Sequence, residues 1–402
     1  MEAEGRGVDV VTMLLSDEQR AFQDVAQRFA REKLAPNYQA RERQAVIDRA
    51  LMREMGSLGL IAPDLPEKHG GIGAPSETTG VIIEALAYGD FNVAYVQLLG
   101  SLCGQVLARH GSPDLAAEWL PRIVAGESLF ALALTEPRGG SDAGSLMLSA
   151  RRTDKGYVLN GEKSSISAAD QADAALVFAR TGRIEDGPRG VSAFLVPMNA
   201  PGVRRSRFDD LGSKIVGRGS IFFDDVEIPT SYRLAGEGAG FVQVMQGFDF
   251  SRALIGLQCI AAAQASLDES WVYACERQSF GVPLSQHQGV TFPLAEFETM
   301  AAAVRQLCYH TLRLRDADLP HTAEAAMCKW LGPKTAVDII HQCLLTHGHY
   351  GWSLDLPHQQ RLRDVMGLEI GDGTAQIMKL IIARERTKPF SRSAGRAREA
   401  AT

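Results

Sequence analysis

Cysteine is scarce in this sequence, with six in 402 residues. Cys103, Cys259, Cys275, Cys308, Cys328 and Cys343 lie far apart and none forms a CxxC pair. That spacing argues against a zinc or disulfide framework and for buried free thiols in a reducing, cytoplasmic setting. Long hydrophobic runs are also lacking. No stretch of about 18 consecutive apolar residues occurs, so no membrane span is expected. Residues 1–15 are acidic and contain glycine, without a basic stretch ahead of an apolar core, so they do not read as a signal peptide. Concentrated positive charge is missing too. The net charge is −6, and the short basic runs at Arg204 and Arg205 and between residues 392 and 398 read as solvated surface. A nucleic-acid partner is therefore not expected. His341, His347, His349 and His358 have no metal-site spacing and read as structural, so no metal is expected. No internal repeat is present.

What remains is ordinary globular material, 45% hydrophobic and 22% charged, with three textures along its length. The first, residues 12–130, reads as helical. Ser16 with Gln19 forms a capping box opening a helix over 17–32, with Phe22, Val25, Ala26 and Phe29 at helical spacing and Pro36 as its stop. Further helices are predicted over 78–88 and 93–110, and 63–75 reads as a Gly/Pro-rich loop. Over 131–240 the period shortens. Apolar or alternating runs at 129–134, 156–159, 174–179, 191–196 and 220–223, separated by Asn-Gly, Asp-Gly and Pro-Gly turns, predict a small antiparallel barrel or sandwich. Over 241–390 the helical period returns, in segments 251–278, 293–316, 323–347 and 374–386, which predicts a four-helix bundle. The tail from 391 onward is polar and expected to be disordered. The fold class is thus α+β and multidomain, in the order α, β, α.

Several segments carry chemistry. Residues 133–145 read ALTEPRGGSDAGS, a strand end at Leu134 and Thr135 followed by a Gly-Gly turn with Gly140, Ser141 and Asp142. Such a loop of small donors can approach an anionic or polar ring system closely. Residues 160–167 read NGEKSSIS, 277–288 read RQSFGVPLSQHQ, and 372–377 read Asp-Gly-Thr-Ala-Gln-Ile. In this order and spacing the segments resemble the signatures of the acyl-CoA dehydrogenase family along nearly the whole chain.

The resemblance implies FAD as cofactor, lying between the β domain and the C-terminal bundle. It implies that Leu134, Thr135, Gly140 and Ser141 contact the flavin and its pyrophosphate, and that Ser167 approaches flavin N5. Ser165 stands where the family usually carries Trp, which either opens space beside the flavin or is a neutral change. Arg277, a cation suited to a pyrophosphate, with Phe280 and Gln288, resembles the segment that reaches the FAD of a neighbouring subunit. A homodimer or homotetramer is therefore expected. Thr374 and Gln376 match further FAD contacts. The HGHYGW turn at 347–352, with Arg361, Arg363 and Asp364, resembles another family segment, with His349 in place of its second Gly.

Asp372 falls on the family's catalytic base, usually Glu, which takes the α-proton of a thioester, and Gly371 replaces a Tyr. Asp can do the same work from one methylene further back. A carboxylate near its usual pKa of ~3.9 is a weak base toward carbon, so burial should raise it. Donors to the thioester carbonyl, including the backbone N–H of Asp372, should stabilise the enolate. Hydride then passes from the β-carbon to the flavin. Ser141, Gly373, Asp249 and Arg252 are expected on the substrate side, although Asp249 and Arg252 could equally be an i, i+3 ion pair with a structural role. Asp90 is either the N-cap of the following helix or a second base or acid in the acyl pocket. The KSSIS, DFNVAY and GDGT spellings resemble the alicyclic branch, the cyclohexane- and cyclohexene-carboxyl-CoA dehydrogenases. The expected function is dehydrogenation of an acyl-CoA, with an electron-transfer flavoprotein as acceptor. Alternatives of the same fold are an acyl-carrier-protein dehydrogenase and a flavin oxidase or monooxygenase. The acidic net charge argues against a DNA-binding relative.

Overall fold

A computed structural model of the chain describes residues 15–399. The start of the first region at residue 12 lies outside them, as do residues 400–402 of the tail. The N-terminal part is helical: α1 Asp17–Phe29, α2 Tyr38–Gln44, α3 Arg49–Ser57, α4 Ser76–Gly89, α5 Phe91–His110 and α6 Pro113–Val124. Ser16 caps α1 through both arms of the capping box. The chain then tightens through a π-turn at Ala30–Leu34 and a 3-10 turn at Ala35–Asn37, where Pro36 ends the helical ladder. Three helices of this part, α2, α3 and α6, escaped the periodicity reading. α2 and α3 are short, whereas α6 carries Leu115, Ala116, Trp119, Leu120 and Ile123 at helical spacing behind Ser112 as cap and Pro113 in the first turn. α5 has the length and mean hydropathy, 1.3, of a membrane span, but 83% of that window is buried among its neighbours, as for a core helix.

The central part is an eight-stranded sheet in the order β6-β7-β3-β2-β4-β5-β8, with β1 added beside β4. Its strands are β1 Phe130–Ala133, β2 Ser149–Thr153, β3 Gly156–Ser167, β4 Ala174–Arg180, β5 Val191–Pro197, β6 Val203–Arg205, β7 Arg218–Pro229 and β8 Arg233–Leu234. Pairing is mostly antiparallel, but β1 runs parallel to β4, Phe130 against Ala174. β4 and β5 are almost wholly buried, which matches their continuous apolar sequences.

The C-terminal part is built on α7 Gly240–Glu276, α8 Gln288–Asp316 and α9 Thr322–Thr346, followed by α10 His349–Trp352, α11 His358–Ile370 and α12 Ala375–Glu399. A hairpin of β9 Gln278–Ser279 and β10 Val282–Pro283 joins α7 to α8. Against the expectation of a disordered tail, the α12 backbone continues to Glu399. Its last stretch is rich in Ala, Arg and Glu, which favour helix. The α7–α9 crossing positions the site. There a Cβ on Gly332 would lie 2.7 Å from Gly256 Cα, so only glycine lets the two backbones approach so closely. One turn before these glycines stand Arg252 and Lys329.

Candidate active site

The Asp372 loop joins two helices in a few residues. α11 ends on Gly371, and Thr374 starts α12 by accepting the Ile377 N–H on Oγ1 at 3.4 Å. Between them Asp372 sits at φ 55 and Gly373 at φ 108. Aspartate tolerates the left-handed region better than most residues. Gly373 is obligatory, since a Cβ there would also meet Met378 Cε at 2.4 Å. Lys329, 1% exposed, clamps the loop from α9 by donating to Leu368 O at 2.5 Å and Gly373 O at 3.1 Å.

Asp372 is half-buried. Its carboxylate has no hydrogen bond among the described residues. Burial pushes its pKa up, and the opposing charges of Lys329 and Arg252 only partly offset this. Burial in turn pushes Lys329 down, against the pull of Asp372. The loop therefore holds a carboxylate that is more basic than usual, with free lone pairs and cations in its field.

Asp249 and Arg252 form the i, i+3 ion pair at 3.1 Å, and the second Asp249 oxygen accepts from the Thr322 hydroxyl at 2.6 Å. Asp249 is thus engaged within the chain, in the ion pair expected as one of its two readings. Arg252 is 4% exposed and its Nε has no partner, so it keeps a donor to offer beside Asp372.

The Gly-rich loop is pinned by a pair that the motif reading passed over. Glu136 accepts from Lys163 Nζ at 2.8 Å and from the N–H groups of Met147 and Leu148 at 2.7 and 2.8 Å, while Lys163 also donates to Leu134 O at 2.9 Å. Burial raises the Glu136 pKa, but Lys163 and the two N–H groups outweigh it and the net shift is downward. Burial brings Lys163 down to about 8 despite Glu136. The Ser164 N–H donates to Thr135 O at 2.9 Å, which stitches the loop to β3. Immediately after, pairing with β7 slips between Lys163 and Ile166, and Ser165 protrudes, exposed, at φ 60. Thr135, Ser165 and Ser167 are thereby brought together. Ser167 Oγ lies 3.3 Å from Tyr95 Oη of α5, and burial first and the Asp372 charge second raise the Tyr95 pKa. Tyr95 was missed because an aromatic at helical spacing reads as core.

Other expectations separate. Asp90, 1% exposed, caps α5 by accepting the N–H groups of Asn92 and Val93 at 2.9 and 3.0 Å, and it accepts Arg41 Nε at 2.7 Å. Both oxygens are engaged, one in the cap and one in a buried ion pair with Arg41, as the cap reading expects. Arg277, Phe280 and Gln288 are exposed, Phe280 95% so, around the hairpin at the far end of α7. Twenty-odd residues of helix, about 36 Å, lie between Arg252 and Arg277, so one chain does not bring them to the Asp372 end. Gln376 is exposed, and Ser141 and Gly140 are exposed on their loop. His347 stacks on Tyr273 and lies tilted against His358, with ring centroids 4.3 Å apart in both pairs. Arg361 makes a two-pronged bond to Glu269 at 2.8 Å.

The donor set fits a flavin. It comprises neutral hydroxyls at Thr135, Ser141 and Ser167, an open Gly139 with nothing within 4 Å of a Cβ, and an exposed bulge at Ser165. Comparison with known proteins agrees. Three family models match in succession: the acyl-CoA dehydrogenase N-terminal domain over residues 16–127, the middle domain over 131–226 and the C-terminal domain over 238–386. Benzylmalonyl-CoA dehydrogenase of Aromatoleum aromaticum is 34% identical over 374 residues, 92% of this chain and 98% of that protein. Butyryl-CoA dehydrogenase from Megasphaera elsdenii superposes with a TM-score of 0.89 at 30% identity, over 92% of this chain and 98% of that one. A glutaryl-CoA dehydrogenase from Mycobacterium smegmatis in complex with FADH2 gives 0.89 at 26% identity, over 94% and 97%. The chain belongs to the acyl-CoA dehydrogenase family, flavin-dependent oxidoreductases that act on acyl-CoA thioesters.

Proposed function

We propose that the chain dehydrogenates an alicyclic acyl-CoA of the cyclohexane- or cyclohexene-carboxyl type, with Asp372 accepting the α-proton. The carrying observation is the Asp372 loop itself: an unpartnered, more basic carboxylate beside a Gly371 whose Cβ direction meets nothing nearer than 3.5 Å. Space left at Gly371 and at the exposed Ser165 suits a ring better than a thin straight chain. Arg252, with its free Nε, attracts the thioester end and steadies the Asp372 anion. The Asp372 N–H, at the turn, is available to the thioester oxygen. FAD held by Thr135, Ser141 and Ser167 would supply the hydride acceptor. The exposed Arg277, Phe280 and Gln288 suit the FAD of a second copy, which makes the working enzyme a homo-oligomer, and an electron-transfer flavoprotein is the proposed acceptor.

The test is anaerobic bleaching of the flavin band by cyclohexanecarboxyl-CoA, cyclohexenecarboxyl-CoA and straight-chain acyl-CoAs. Faster bleaching by a cyclic ester is expected, and Gly371→Tyr should reverse the preference. Bleaching by straight chains alone contradicts the alicyclic assignment.

A further inference from the structure

Tyr95 closes the DFNVAY segment, and it joins the N-terminal helical part to the β domain. It stands on α5, whose start is fixed by the Asp90 cap. Its ring is partly buried against the core. Its hydroxyl reaches Ser167 at 3.3 Å, and among the described residues this is the only hydrogen bond that either hydroxyl makes. Ser167 is itself held firmly. It ends β3 in register with Arg218, which is locked to Asp210 by two bonds at 3.0 and 2.6 Å.

A serine hydroxyl has one proton to give and two lone pairs to receive with. The phenol is the more acidic O–H and hence the better donor of the two. Burial first, and then the Asp372 charge, push the phenol's pKa upward, so it stays protonated across the working range. With Tyr95 donating, the Ser167 oxygen is occupied on that side and its own proton points elsewhere. Donation into a hydroxyl also polarises it as a donor in turn.

We propose that Tyr95 is a positioning residue: it donates to Ser167 Oγ and so directs the Ser167 proton at an acceptor on the flavin ring. This rests on the flavin site described above. The phenol thereby joins α5 to the flavin side of the site at Ser167, within the field of the Asp372 charge.

The experiment reads the flavin without substrate. Wild type, Tyr95→Phe, Ser167→Ala and the double variant, each purified with FAD, are compared by visible absorption spectrum and by midpoint potential against a dye couple. Phenylalanine keeps the ring that packs in the core, and thermal unfolding checks the fold. Tyr95→Phe is expected to shift the spectrum and potential in the same direction as Ser167→Ala, with the double variant no different from Ser167→Ala alone. Reduction by a substrate should slow about five- to tenfold, the worth of one hydrogen bond, with little change in KM. A Tyr95→Phe flavin identical to wild type, or effects that add in the double variant, would overturn the link. If Ser167→Ala also leaves the flavin unchanged, Ser167 does not face it, and both this proposal and the flavin-site reading beneath it fall.

Discussion

Two carboxylate sites in this molecule look alike in sequence and differ in what surrounds them. Asp90 and Asp364 lie where the N-terminal helices meet α11. Asp90 receives two backbone N–H groups and Arg41, while Asp364 receives Tyr38 at 2.5 Å, Asn92 at 2.7 Å and the Ser213 N–H at 2.6 Å. Asp372 receives no hydrogen bond from any described residue and feels Lys329 and Arg252 only through their charge. A buried carboxylate that serves the fold is saturated with donors, because an unpaired one is costly. A carboxylate that must take a proton keeps its lone pairs free, and the cost is met by cations near enough to stabilise the anion without capturing it. Burial and hydrogen-bond saturation both separate the two cases, since Asp90 and Asp364 are each 1% exposed and Asp372 is half-buried.

The largest expected break in this comparison is chemical. Asp372→Asn should slow substrate-driven flavin reduction by about 10²–10⁴-fold and leave the melting temperature nearly unchanged, as read by stopped-flow and thermal scans. At the saturated site the damage should be thermodynamic. Arg41→Ala leaves Asp90 buried without its cation and should cost about 3–5 kcal/mol in denaturant unfolding, while flavin reduction by the folded fraction persists. A slope with pH sharpens the contrast. Burial raises Asp364 to about 7, above its unfolded value of 3.8. The folded chain therefore holds this proton more tightly, and its stabilising effect is full below pH ~4 and is lost as pH rises toward 7. Asp364→Asn should remove on the order of 1.4 kcal/mol per pH unit of that decline, measured by unfolding midpoints across the window. The smallest effect concerns the loop. Gly373→Ala, forced to φ 108 against Met378, should cost about 1–3 kcal/mol and disturb flavin reduction as well as stability.

The order of helical, sheet and helical parts was legible because each has its own hydrophobic period, and the Ser16–Gln19 box appears as read. β2 was not, because a short strand wedged between turns leaves too few residues to show a period, whereas the α6 stripe from Leu115 to Ile123 was open to the same reading. At the site, the Asp372 turn was marked by its Asp-Gly-Thr spelling. Lys329 and Thr322 were invisible, since each sits at ordinary helical spacing and gains its role only when α7 and α9 cross, and Tyr95, in the DFNVAY segment, gains its role only when β3 brings Ser167 to it. Asp90 was ambiguous in sequence because a cap and a pocket acid look the same until Arg41, 49 residues away in the chain, is seen to claim it.

The most direct test sets the two carboxylates side by side. Asp372→Asn and Asp90→Asn variants, both purified with FAD, would be titrated anaerobically with the acyl-CoA that bleaches the wild-type flavin. The account predicts that the Asp372→Asn protein stays yellow, while the Asp90→Asn protein, although less stable, bleaches at close to the wild-type rate. Prompt bleaching of the first, or a yellow, folded and unreactive second, would contradict it.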